Sequence, residues 1–314
     1  MTALPAFPER VLAAVEAKGG PVVVGLDPRP ELLPDDLIAW ARRQGGDPRE
    51  AAAAAVAAFN RVIIDAVHDV AVAVKPQLAF FEQLGWPGVR ALEETIAWAK
   101  ERGLLVIADG KRHDIGTTAA AYARAYLGLD GGPSGGVTPL GSCASGLEAD
   151  ALTVSPYMGT DSMEPFLAAC RERGKGIFVL VRTSNPSAAE LQDMLAGDGA
   201  EPRATLADRV ADLVVKWNDG MPHAGGYGPV GAVVGATGPD EAARLRRRMP
   251  GVLFLVPGYG AQGAGPQQAA AAFADDGRGA LVNSARQIQY AWRSEHPGAP
   301  GTADDYAGAA RRAA

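Results

Sequence analysis

"VIADGKRHDIGTT", residues 106–118, decides how this chain is read. An apolar run, Leu104 to Ala108, ends in Asp109, Lys111, Arg112, His113 and Asp114 within six positions. A single solvated turn after a strand accounts for one such cluster. Seven further runs of strand length decide whether it stands alone. They are "PVVVGLDP" (21–28), "VAVAVKPQ" (70–77), "ADALTVSPY" (149–157), "GIFVLVRTSNP" (176–186), "VGAVVGATGP" (230–239), "VLFLVPGYG" (252–260) and "GALVNSARQ" (279–287). Together with 104–111 they make eight. Near-continuous Val, Ile and Leu is what a parallel strand buried on both faces requires.

Helical segments alternate with these runs. "DPREAAAAAVAAFNRVIIDAVHDV" offers Asp47 as N-cap and Pro48 at the first helical position. "GVRALEETIAWAKERG" ends in Gly103, a C-cap signal. Strand and helix alternating throughout predict parallel βα units. Eight units in a chain of 314 residues predict an α/β fold of the (β/α)8 TIM-barrel type, for which ~250 residues is typical. A doubly wound open sheet is the alternative, but no Gly-x-Gly-x-x-Gly follows the first run. The expected organisation is one barrel domain over residues 1–293, with rim inserts near 128–146 and 185–205, and a Gly/Ala/Pro-rich C-terminal tail over 294–314.

Composition narrows the function. The net charge is −6 and the pI about 5.3, so neither nucleic acid nor an anionic membrane is an expected partner. No window approaches eighteen uncharged apolar residues, and the N-terminal stretch does not read as a signal peptide. Two cysteines, Cys143 and Cys170, suggest no disulfide framework, and a cytoplasmic location is expected. Six lysines among the 30 basic residues make a lysine at a strand end conspicuous.

In a barrel the site lies at the C-terminal strand ends. The runs end in Asp27, then Lys75, then Asp109, Lys111 and Asp114, then Ser155, then Arg182-Thr183-Ser184, and finally Asn283, Ser284 and Arg286. Asp109 and Lys111 are two apart, which on an extended strand places both side chains on one face. Side by side, each favours the other's charged form. His113 is discounted as a general base because it sits with Arg112 among the outward-facing positions. The seventh run leads into "PGYGAQGAG" (257–265), whose Gly258, Gly260, Gly263 and Gly265 let backbone N–H groups approach an anion. With Arg286 after the next run, this reads as a phosphate site.

Asp27, Lys75, the Asp-x-Lys-x-x-Asp of 109–114 with "IGTT" after it, and the Gly-rich loop with Arg286 resemble the orotidine 5′-phosphate decarboxylases. "KPQLAFFE" (75–82), "SPYMG" (155–159) and "RTSNP" (182–186) are similar to the longer bacterial (type 2) subfamily. The resemblance covers roughly residues 20 to 292. It implies decarboxylation of orotidine 5′-phosphate to UMP, the last step of de novo pyrimidine synthesis, with no cofactor and no metal. It further implies Lys111 as proton donor to C6 and Asp109 beside the departing carboxylate. Asp114 and Thr118 would reach the site from the partner subunit of a homodimer. Asp27 and Lys75 would hold the ribose, Ser155 the pyrimidine edge, and Gln262 and Arg286 the phosphate. Two alternatives remain. A Mg²⁺-dependent sugar-phosphate decarboxylase with a similar strand end would need a further acidic ligand near the second run, where Lys75 stands. A non-catalytic phosphosugar- or nucleotide-binding barrel would not need Lys111 beside Asp109.

Overall fold

The structure is a computed structural model that describes residues 4–44, 46–129, 136–138, 141–143, 145–196, 204–260, 263, 265–295 and 302–314. All eight runs form strands: β1 Val22–Leu26, β2 Ala73–Pro76, β3 Leu105–Arg112, β4 Ala151–Val154, β5 Gly176–Arg182, β6 Gly228–Val234, β7 Val252–Val256 and β8 Ala280–Ser284. They close into a barrel in the order β1-β8-β7-β6-β5-β4-β3-β2. The strands pair in parallel, with Val23 opposite Ala73 and Ala73 opposite Leu105, for example. The reason is compositional. Residues 23–26 and 252–256 are wholly buried, and a strand with no wet face has no room for the polar alternation of an antiparallel edge.

The chain divides into two compact units, residues 1–14, 111–145 and 150–283, and residues 15–110, 146–149 and 284–314. In the second, the helix Pro48–Val67 starts as its sequence signals. Asp47 accepts from the Arg49 N–H at 2.8 Å, and Pro48 needs no donor there. The helix Trp86–Glu101 stops before Gly103, whose φ of 73° closes the turn. Residues 303–313, within the expected tail, form a helix. Tyr306 lies 5.3 Å from the Phe59 ring, centroid to centroid, and Arg311 pairs with Asp69.

In the first unit, Phe7 meets Phe178 edge-on at 5.9 Å. Gly176 opens β5 because any Cβ there would strike the Phe7 ring. The two inserts occupy different positions in the βα repeat. The 128–146 stretch follows the helix Gly116–Leu127 and precedes β4, so it belongs to a helix-to-strand connection, away from the C-terminal strand ends. Its described part is an antiparallel pair, Gly136–Thr138 with Gly141–Cys143. The 185–205 stretch follows β5 and carries the short helix Ala189–Gln192 and the pair Leu195–Ala196 with Ala204–Thr205.

Arg246, on the helix Pro239–Arg248, is a buried cation of this unit with several carbonyl partners. Its guanidinium donates to Ala272 O at 2.9 Å, Met249 O at 3.0 Å, Val252 O at 2.8 Å and Gly279 O at 2.8 Å. It also lies 3.5 Å from the centre of the Phe254 ring. Burial lowers its pKa to about 10, which still leaves it charged at neutral pH. One side chain thus satisfies the carbonyls at the entrances of β7 and β8. Arg246→Leu strands those acceptors and is expected to cost about 3 kcal/mol or more in urea denaturation. Arg278→Ala, which breaks only the exposed pair with Asp276, is expected to cost less than about 1 kcal/mol. Equal losses would contradict this account.

Candidate active site

Asp109, on β3, is the centre of the first constellation. It is only 6% exposed, and a bare carboxylate at that depth would be costly. Lys75 Nζ, from β2, donates to Asp109 Oδ2 at 2.5 Å, and Gln77 Nε2 donates to the same oxygen at 3.1 Å. A parallel bridge between Gln77 and Asp109 extends the ladder past the end of β2 and fixes this approach. Lys75 is 5% exposed. Burial alone would lower its pKa, but the charge of Asp109, then that of Asp27, and the hydrogen bond outweigh it and leave the pKa raised. Asp27, Lys75 and Asp109 therefore form one electrostatic group. The sequence reading placed Lys75 with Asp27; the structure adds its hydrogen bond to Asp109.

Asp27 stands just past β1, where two residues from the C-terminal end of the chain hold its backbone. Gln289 Oε1 accepts from the Asp27 N–H at 2.7 Å. The Tyr290 hydroxyl accepts from the Arg29 N–H at 2.8 Å and donates to Asp27 O at 3.2 Å. Burial pushes the Tyr290 phenol up to about 12, so it keeps its proton. Gln289 is fully buried and donates to Asn60 Oδ1 at 3.5 Å, and Asn60 donates to Thr95 Oγ1 at 3.4 Å. Gln289 ends the short helix that Arg286 begins. Arg286 is exposed, and its side chain makes no hydrogen bond or ion pair with another described residue. One turn of helix therefore carries both the exposed Arg286 and the glutamine that fixes Asp27.

The second constellation begins at Lys111. Its φ is 46°, the only positive φ at a non-glycine among the described residues. Such a backbone costs on the order of 1–3 kcal/mol and persists where the surroundings enforce it. The expectation that pleat alternation alone puts Asp109 and Lys111 on one face assumed an extended backbone. The left-handed residue breaks that alternation. Two hydrogen bonds join this backbone to β4 and the residue after it. Thr153 Oγ1 accepts from the Lys111 N–H at 2.9 Å, and the Ser155 N–H donates to Arg112 O at 3.1 Å. Lys111 is exposed on this chain, as are His113 and Thr118. Arg112 lies over the rings of Tyr122 and Tyr126, at 5.5 and 5.6 Å. Asp114 Oδ1 accepts from the Ile115 N–H at 2.8 Å, just before the helix Gly116–Leu127.

The Gly-rich loop follows β7. Gly258, Gly260 and Gly263 have φ of 96°, 75° and 88°, a region that suits glycine alone. The Ala236 N–H donates to Pro257 O at 3.0 Å and anchors the start of the loop. Gln262 lies outside the described residues. Arg182 has a role that its sequence did not suggest. It pairs with Glu241 at 2.6 Å and with Asp193 at 3.2 Å, and it donates to Gln192 Oε1 at 3.3 Å. Gln192 in turn accepts from the Thr183 N–H at 2.9 Å. Arg182 thus ties the 185–205 insert to the helix Pro239–Arg248. Among the described residues no group of three or more His, Cys, Asp or Glu is placed to hold a metal ion. Nor is any helix there long and apolar enough to cross a membrane.

Gln77, Gln289, Tyr290 and Thr153 were not singled out in the sequence. Gln77 and Thr153 lie within or beside strand runs, and that position was the available signal. Comparison with known proteins bears on the whole arrangement. The model for the orotidine 5′-phosphate decarboxylase / HUMPS family matches residues 20–295. An orotidine 5′-phosphate decarboxylase of Rhodopirellula baltica is 48% identical over 289 residues, spanning 92% of this chain and 90% of that protein. One from Deinococcus radiodurans is 42% identical, over 91% of this chain and 90% of its own length. The structure of Leishmania donovani OMP decarboxylase superposes with a TM-score of 0.69 at 31% identity, covering 98% of this chain and 95% of that one.

Removing one partner of a buried ion pair typically costs about 3–5 kcal/mol, so Lys75→Met is expected to lower stability by that order. Adding Asp109→Asn removes the orphaned charge, and the double variant should recover at least about 1 kcal/mol of that loss. Strictly additive losses in a double-mutant cycle would show that the two are not coupled. Because the Lys75 pKa is raised, its stabilisation is fully present below the ordinary 10.5 and is lost only as pH climbs through the higher folded-state value.

Proposed function

This chain belongs to the orotidine 5′-phosphate decarboxylase / HUMPS family, and from that premise we propose that it converts orotidine 5′-phosphate to UMP and CO2, with Lys111 as proton donor and with no cofactor or metal. The observation that carries the lysine's role is its strained backbone, two residues beyond a buried carboxylate on the same strand.

The chemistry needs a carbanion. The bond from C6 to the carboxyl carbon breaks, CO2 leaves, and the electron pair stays on C6. The Lys111 ammonium stabilises that pair by charge and then gives C6 its proton; solvent returns a proton to the amine. General-acid catalysis by one group typically supplies ~10²–10⁴-fold, so preorganised charge has to supply more. The Lys75–Asp109–Asp27 group would contribute by attracting and orienting the Lys111 ammonium, which carries the positive charge the carbanion needs. Lys75 and Asp109 are buried, so their field is poorly screened, and they are hydrogen-bonded before substrate arrives. An ammonium already holds the Asp109 oxygen that a metal would otherwise take, which favours the metal-free reading over a Mg²⁺ enzyme. Asp27 and Lys75 would hold the ribose and Ser155 the pyrimidine edge. Arg286, Gln262 and the backbone of Gly258, Gly260 and Gly263 would take the phosphate. Binding energy from the phosphate, remote from C6, would organise the site.

A second copy of the chain completes the reading, as a cytoplasmic homodimer. Lys111, His113 and Thr118 are exposed here, and Ile115 is 52% exposed in their midst. An apolar residue of that size among reacting groups is what a partner subunit would cover. Asp114 and Thr118 would then serve the partner's site.

Two measurements check this. Purified protein in EDTA should deplete orotidine 5′-phosphate absorbance and yield UMP, and Lys111→Ala should lose nearly all turnover while still binding UMP. Dependence on added Mg²⁺ would refute the metal-free reading. Separately, mixing inactive Lys111→Ala and Asp114→Ala proteins should restore activity on the order of a quarter of wild type, because half of the shuffled dimers would each hold one intact shared site. No restoration would assign both residues to one subunit's site.

A further inference from the structure

We propose that Thr153 is a positioning residue for Lys111, setting the left-handed backbone that aims the ammonium. The inference rests on Lys111 being the proton donor. Thr153 is 1% exposed in the middle of β4, where a core strand would ordinarily carry Val or Ile. Its hydroxyl accepts from the Lys111 N–H at 2.9 Å, so a side chain serves where a strand ordinarily uses a main-chain carbonyl.

Two features make this acceptor a determinant of direction. Threonine is β-branched, and its χ1 is stiff, so Oγ1 has a fixed place relative to β4. The next link is also held, since Arg112 O accepts from the Ser155 N–H at 3.1 Å. The chain is therefore held at the Lys111 N–H by Thr153 on β4, and at the carbonyl of the next residue by Ser155 just past the end of β4. With its own N–H and the Arg112 carbonyl both tied to neighbouring chain, Lys111 keeps φ at 46° instead of relaxing to an extended strand. An extended backbone would swing its Cα–Cβ bond to another direction and carry the ammonium away from where it now points. Asp109, held by Lys75 and Gln77, would stay in place.

The test compares Thr153→Val, which keeps the shape and removes the acceptor, with Thr153→Ser, which keeps the acceptor. Thr153→Val is expected to lower kcat about ten- to a hundredfold, the usual consequence of a misplaced reacting group, with KM and UMP affinity within about twofold of wild type. Thr153→Ser should recover most of that loss. A crystal structure of Thr153→Val should show Lys111 with negative φ. If Thr153→Val does not fold, Thr153→Ser against Thr153→Ala gives the same comparison. Wild-type kcat in Thr153→Val, equal losses in the Ser and Val variants, or Lys111 still at positive φ in Thr153→Val would each overturn the proposal. A wild-type protein that leaves orotidine 5′-phosphate intact would refute the proposed function instead, and the φ measurement would still decide whether Thr153 sets the Lys111 backbone.

Discussion

Everything at this site depends on keeping the Asp109 carboxylate ionised where water hardly reaches it. A charge at 6% exposure is tolerated only when it is paired and hydrogen-bonded. Lys75 supplies the charge and Gln77 a second donor, and both come from the end of the neighbouring strand. The register between β2 and β3 is thereby constrained at its exit, because a slip of one residue would turn Lys75 to the other face and leave the carboxylate bare. The surrounding field follows from the same requirement. Lys75 answers the charges of Asp109 and Asp27 together, so the three act as one group.

The fold was legible because barrel strands leave a strong signal. Runs buried on both faces have almost no polar residues until they exit, so each run and its terminal charge stand out together. Helix boundaries carried by Asp47, Pro48 and Gly103 were equally plain, since each meets a backbone need that few residue types can meet. The site was legible where it used charge. It was opaque where it used neutral donors and acceptors. Thr153 within "ALTVS" is indistinguishable from a strand residue until its partner is known. Gln289 and Tyr290 act through contacts with residues about 260 positions away, which no local pattern encodes. The left-handed Lys111 was invisible for the opposite reason. A positive φ is ordinarily advertised by glycine, and here a lysine adopts it.

The roles of Arg182 and Arg246 show why so arginine-rich a chain need not bind an anion with each one. A guanidinium satisfies several acceptors at once, and in both cases those acceptors lie in the protein. Arg246 serves the entrances of β7 and β8, and Arg182 ties an insert to a helix. Arg286 differs from both in being exposed and unengaged by any described side chain, which leaves it available for a ligand.

The backbone of Lys111 also sets a limit on how this protein could be improved. Glycine adopts a φ of 46° without strain, so stability at that position and chemistry at that position pull in opposite directions. A laboratory population selected only for resistance to heat would have reason to discard the lysine, and on the proposed mechanism would gain a tougher protein with nothing left to do. A thermostable version therefore has to take its gains elsewhere in the barrel, with residue 111 held constant.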